Sequence, residues 1–194
     1  MDSSPEPPPA GLTKLPIVMI SMSRWDGDFS SAAWSLAKTF ARTRPVLYVD
    51  YPYTLTDIVR ERKDERVKRR RQSLLWRKQP LLKLEHFGGQ LYGLTPPAML
   101  PAMRLRPGPV YQALHQYNDR LMARSIQQGL AELGHDDFIF FNSFNPLYLT
   151  SLPAGFRPRL FLYQSRDNLR ALEPYLRKHG EAGERQAIRN ADFS

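Results

Sequence analysis

The sequence predicts an α/β fold: a mostly parallel, Rossmann-like sheet with helices on both faces. Three observations carry this. Short apolar runs recur along the chain, and each breaks off into a polar cluster before a helix-like stretch. The connections between runs are long enough to cross over a sheet. The opening run, Pro16-Ile17-Val18-Met19-Ile20, is apolar throughout, as a strand buried on both faces must be.

Each element follows in order. Residues 1–14 are proline-rich and read as a disordered leader, and residues 15–194 as one domain. The first strand covers 17–22, and Ser30 can cap a helix whose Ala33, Trp34, Ala37, Phe40 and Ala41 share one face until Pro45 breaks it. Val46-Leu47-Tyr48-Val49-Asp50 is a second strand, running into Tyr51-Pro52-Tyr53. Thr54 can cap a single long helix reaching Trp76, its middle solvated. Runs over 81–87 and 90–94 flank Gly88-Gly89 and read as a hairpin at a sheet edge. Proline density makes 96–109 a loop. Leu114, Tyr117, Leu121, Ile126, Leu130 and Leu133 make the seam of a helix over 110–133, stopped by Gly134. Strands follow at 138–141 and 160–163, and then a helix over 174–190 that Gly180 and Gly183 interrupt. The end, Ala191-Asp192-Phe193-Ser194, reads as the exit of a helix into a further strand. The sequence is therefore expected to be the first part of a longer protein.

Composition narrows the function. A chain of 194 residues without cysteine has no disulfide, thiolate metal site or thiol nucleophile, which suits a reducing, cytoplasmic setting. No run approaches the roughly 18 apolar residues that cross a bilayer. The formal charge of +9 is concentrated in residues 60–78, which hold ten basic side chains against Glu61, Asp64 and Glu65. Such a stripe suits anionic lipid, nucleic acid or plain solvation. His86, His115, His135 and His179 are widely separated without metal-ligand spacing, so structural roles are expected, and neither metal nor cofactor.

Open α/β sheets bind ligands at the carboxyl ends of their strands. The groups predicted there are Arg24, Trp25, Asp26 and Gly27 after the first strand, Asn142 and Asn145 after the run at 138–141, and Arg166 and Asp167 after the last. Tyr51, Phe144 and Tyr163 lie beside them. Amides, charged groups and rings together suit a polyhydroxylated ligand bearing an anionic group. Each piece also has a plainer reading: a turn with a helix cap at 25–28, an Asx-turn at 142–146, a local ion pair at 166–167. The sequence lacks Gly-x-Gly-x-x-Gly after a strand, Gly-x-x-x-x-Gly-Lys and Gly-x-Ser-x-Gly, which argues against dinucleotide oxidoreductases, P-loop ATPases and α/β-hydrolases.

Trp25-Asp26 before a helix, Val46-Leu47-Tyr48-Val49-Asp50 with Tyr51-Pro52, residues 140–146 and 163–168, and Glu184 with Ala191-Asp192 form an ordered set. The set resembles the amino-terminal domain of GT-B glycosyltransferases, more narrowly the bacterial group related to the teichuronic acid glycosyltransferase TuaH, which builds cell-surface polysaccharide. The resemblance implies an acceptor-side domain facing a second, donor-binding domain absent from this sequence. It implies that Arg24, Trp25, Asp26 and Gly27 approach the donor phosphates, and that Asn142, Asn145, Arg166 and Asp167 border the acceptor. Asp26 and Asp167 are then the catalytic candidates, acting by orientation and not as nucleophiles. The chain departs from the family pattern in Asp167-Asn168, where paired acids are usual, and in Gln164. The implied partners are a nucleotide-sugar donor, a glycan or lipid-linked acceptor, and an anionic inner-membrane surface met by the basic stripe. By itself the chain is expected to turn over no sugar nucleotide, since one wall of a cleft cannot hold donor against acceptor. The competing expectation is a non-enzymatic α/β domain that binds membrane or nucleic acid through 60–78. The absence of interleaved aromatics argues against nucleic acid.

Overall fold

The computed structural model describes residues 11–27, 31–85, 89–166 and 176–194. Within these, six strands form one sheet: β1 (Ile17–Ser21), β2 (Val46–Val49), β3 (Leu81–Lys83), β4 (Leu91–Leu94), β5 (Ile139–Ser143) and β6 (Leu160–Gln164). Their order is β3-β4-β2-β1-β5-β6, parallel throughout except for the antiparallel edge pair β3 and β4. The sheet grows outward from β1 in both directions. The connection therefore reverses between β1 and β5, and a Rossmann-like sheet opens a crevice at that reversal, beyond the strands' carboxyl ends.

Side-chain alternation on the central strands divides the core in two. Ile17 and Met19 of β1, with Val46 and Tyr48 of β2, meet Ala33, Trp34 and Ala37 of α1 (Ala32–Phe40). Val18, Ile20, Leu47 and Val49 turn to the other face, against Leu121, Met122, Ile126 and Leu130 of α4 (Pro109–Glu132). Both faces being covered explains why these strands carry no polar alternation.

Several expectations are corrected. The predicted single helix over 54–76 is two, α2 (Leu55–Arg60) and α3 (Glu65–Trp76). Asp64 interrupts it, its side chain accepting from the Arg66 N–H at 2.7 Å and so capping a new helix. Nor is its middle solvated: Arg70 is buried. The cap of α1 is Ser31, whose Oγ accepts from the Trp34 N–H, while Ser30 lies outside the described residues. The edge hairpin forms as expected, though Gly88 also lies outside them. The last helix is composite, a π-helical turn (Leu176–Gly180) leading into α5 (Glu181–Asn190). Beyond it, Phe193 bridges in parallel to Leu162 of β6.

Candidate functional site

The loop after β1 is bound to its neighbours by hydroxyls and a carboxylate. Ser21 and Ser23 each share a hydrogen bond with the Tyr48 hydroxyl at 2.7 Å, and Ser23 another with Ser31 at 2.8 Å. The Gly27 N–H donates to the Arg24 carbonyl, closing a turn. The Trp25 N–H donates to Asp50 at the end of β2 (3.1 Å), which folds the turn over the ends of β2 and β4. Trp25 packs there against Gly93, where a methyl group would stand 3.1 Å from the indole.

Arg70 is the hub of this cluster. Its two terminal nitrogens donate to the two Asp26 oxygens at 2.7 and 2.8 Å, and its Nε donates to Asp50 at 2.9 Å. Thr95 supplies Asp50 with a further donor. Burial opposes the Arg70 charge, but the hydrogen bonds and fields of both carboxylates outweigh it and push the guanidinium pKa up. At Asp26 burial raises the pKa, and the Arg70 hydrogen bond and charge override it, so the net direction is downward. At Asp50, almost fully enclosed, burial prevails and pushes the carboxyl up. Asp26 is thus an ion held in a bidentate fork, and the fork ties the 24–27 turn to α3.

Arg24 has its own arrangement. Its Nε donates to the Tyr51 carbonyl (2.9 Å) and its guanidinium lies 3.6 Å over the Tyr53 ring. The ring and the carbonyl together hold the guanidinium beside the carboxyl end of β2.

On the other side of the reversal, Asn142 and Asn145 lie beneath the surface, 0% and 1% exposed. The Asn142 amide exchanges hydrogen bonds with the Asn145 backbone, and the Asn145 amide donates to the Ser21 carbonyl while accepting from the Leu147 and Tyr148 N–H groups. Their amides therefore hold the ends of β1 and β5 together and shape the following loop, which is the Asx-turn reading of the sequence. That loop carries two non-glycine residues in the left-handed region, Phe144 (φ 59°) and Leu149 (φ 52°). Such residues cost of order 1–3 kcal/mol each and persist where surrounding bonds over-determine them. Exposed Arg166 follows β6, its guanidinium 5.8 Å from the Phe144 ring and 3.5 Å from the Ser143 carbonyl. Asp167 lies outside the described residues. The structure thus gathers Arg24, Trp25, Asp26 and Gly27 over β1, β2 and β4, and Asn142, Asn145 and Arg166 over β5 and β6. Both groups lie on the carboxyl edge, joined through Ser21.

Two constellations escape a reading of the sequence. One is Arg70 with Asp50, since nothing distinguishes Arg70 among the ten basic residues of 60–78. The other is His115 with Asp119, one turn apart on α4. His115 Nδ1 lies 3.2 Å from the Asp119 carboxylate and Nε2 lies 2.7 Å from the Leu147 carbonyl. Both ring nitrogens face acceptors, so only the imidazolium satisfies both. Burial would lower its pKa, but Asp119 and the Leu147 carbonyl more than reverse this and the net direction is upward. The i, i+4 spacing of His115 and Asp119 is the signal that could have found the pair. From the crevice a row of rings leads to it: Tyr51, Tyr148, His115, Tyr111 and His179, with successive centroids 5.9, 6.4, 5.5 and 4.1 Å apart.

Among the described residues no group of three or more His, Cys, Asp or Glu side chains is placed to hold a metal, and no helix is long and apolar enough to cross a membrane. Comparison with known proteins supplies no relative for this chain: no family model matches it, and neither a curated protein nor a solved structure does.

Proposed function

We propose that this domain is the acceptor side of a GT-B glycosyltransferase, serving transfer of a sugar from a nucleotide-sugar donor to a cell-surface polysaccharide or lipid-linked acceptor. One observation carries the reading: a doubly wound sheet whose strand-end loops after β1 and β6 present Arg24 and Arg166 beside aromatic rings at one carboxyl edge. Stacked cations next to rings suit a ligand with a sugar face and an anionic group. Asp26, engaged by Arg70, acts as a positioning residue that sets the 24–27 turn, and Asn142 and Asn145 set the opposite loop. Asp167 keeps the role of orienting the acceptor hydroxyl. A second domain carrying the donor would complete the cleft.

The test is a titration of the ¹⁵N-labelled chain with oligosaccharides from bacterial surface polysaccharide, followed by NMR. Shifts are expected at residues 23–27 and 164–166, with Arg166→Gln weakening binding roughly tenfold, the equivalent of one charge-assisted hydrogen bond. Amides that stay unmoved up to about millimolar glycan would remove the reading.

A second reading concerns the membrane. Val59 and Trp76 are 70% and 72% exposed, with Leu55 and Leu75 also exposed, at the two ends of the α2–α3 basic stripe. Apolar anchors flanking cations suit an anionic lipid surface, at roughly 1 kcal/mol per basic residue near it. Flotation with phosphatidylglycerol vesicles at low salt, lost at high salt and in Trp76→Ser, is the expected result. Equal recovery with neutral vesicles would refute it, and retention on nucleic acid instead would favour the competing partner.

A further inference from the structure

The connection from β5 to β6, residues 144–159, contains no helix, although crossovers between parallel strands usually do. The helix layer on that face is therefore one member short. Between α4, residues 146–156 and the π-turn with α5, a cavity of about 900 Å³ remains, a size that matches small-molecule sites.

Its chemistry is one-sided. Arg120 and Arg124 stand one turn apart on the α4 rim, where like charges at i, i+4 repel, and among the described residues neither has an ion-pair partner. Lys178 also lines the groove, its ammonium donating to the Arg104 carbonyl at 3.5 Å. The lining carboxylate, Asp119, is buried and occupied, pairing with His115 and accepting from the Leu149 N–H at 3.0 Å. Gln116 and Gln127 flank the arginines with neutral donors and acceptors. At the far end Tyr111 stacks on His179, centroids 4.1 Å apart and planes 13° apart. There too α4 begins at Gly108 without a side-chain cap, adding the positive end of a long helix.

We propose that this groove binds a phosphorylated, hydroxyl-bearing small molecule, with Arg120 and Arg124 gripping the phosphate and the glutamines and Tyr111 facing the hydroxylated body. The concavity favours a small ligand over a membrane, and the unpaired arginines favour an anion over a neutral glycan. The inference goes beyond the carboxyl-edge reading and stands without it, since different residues are read out.

The experiment uses the full chain with four probes, glucose 6-phosphate, inorganic phosphate, glucose and poly-glutamate, followed by thermal shift and titration calorimetry. Glucose 6-phosphate is expected to raise Tm and to bind, glucose to do neither. Arg120→Gln with Arg124→Gln should weaken binding tenfold or more, roughly the loss of one or more charge-assisted hydrogen bonds. Both side chains are exposed, so Tm without ligand should stay unchanged. Lys14→Gln with Arg42→Gln, the same charge removed from exposed positions outside the groove, should bind like the unaltered chain. Inorganic phosphate binding as tightly as glucose 6-phosphate would overturn the hydroxylated ligand, since the glutamines and Tyr111 would then add nothing. No response to either phosphate probe, equal loss in the Lys14/Arg42 control, or tighter binding of poly-glutamate than of the phosphosugar would overturn the proposal.

Discussion

A single side chain, Arg70, joins the loop after β1, the end of β2 and α3. Replacing it with Met leaves Asp50, 2% exposed, without its charged partner, with only the Trp25 N–H and Thr95 hydroxyl still donating to it. The expected loss is about 3–5 kcal/mol in urea denaturation. Arg70→Lys should recover only part of that, because an ammonium cannot reproduce the fork on Asp26. Asp26 and Asp50 are legible in the sequence as acids at strand ends, but Arg70 is not, because its partners lie 44 and 20 residues away. His115 gives a second prediction at this scale. It faces Asp119 on its own helix, the Leu147 carbonyl and Tyr148 from the following loop, and Tyr111 and His179 along the groove. Its folded pKa is raised above 6.5, so its stabilisation is full below that value and lost as pH rises through the folded pKa. His115→Gln should therefore destabilise more at about pH 5.5 than at about pH 8.5. His179, whose pKa burial lowers, acts in the opposite sense, so the difference between variant and unaltered chain is the quantity to measure.

Elements pack here by backbone approach as well as by side chains. At Gly183 of α5 an added Cβ would fall 1.9 Å from the Pro146 carbonyl oxygen. Gly→Ala inside a helix ordinarily stabilises by roughly 0.5–1 kcal/mol, but here the clash should reverse the sign to a loss of about 1–3 kcal/mol. Gly134 differs: open space surrounds it, and its φ of 74° alone makes Ala unfavourable by about 1–2 kcal/mol. Thermal denaturation of both variants, with hydrogen exchange in α5, separates the mechanisms, since only Gly183→Ala should loosen α5. The sequence marks Gly134 through its place after a long apolar seam. It marks Gly183 only as a helix breaker, because the oxygen it accommodates comes from a loop 37 residues earlier. The α2–α3 break is similar. Thr54 and the basic run are visible locally, but the advantage of turning α3 inward at Asp64 exists only once Asp26 and Asp50 are assembled.

For the whole molecule, the sheet centre and its edge should respond differently. Phe140 of β5 is fully buried against Phe156 and Phe161, so Phe140→Ala should cost about 3–5 kcal/mol. Leu82 on the edge strand β3 is 49% exposed, and Leu82→Ser should stay within about 0.5 kcal/mol. Chemical denaturation with two probes, tryptophan fluorescence and far-UV CD, would measure both and show whether the two faces of the core unfold together. The sequence by itself determined the alternation of strand and helix, the positions of the central strands and the edge hairpin, and the polar clusters at strand ends, because periodicity and turn chemistry act over a few residues. Only the tertiary structure decided which polar groups remain available. It occupied Asn142, Asn145 and Asp26 in internal bonds, left Arg24 and Arg166 at the edge, and left a polar groove where the helix layer is short. Those outcomes depend on partners tens of residues apart, and proximity of that kind comes from the order in which strands join the sheet.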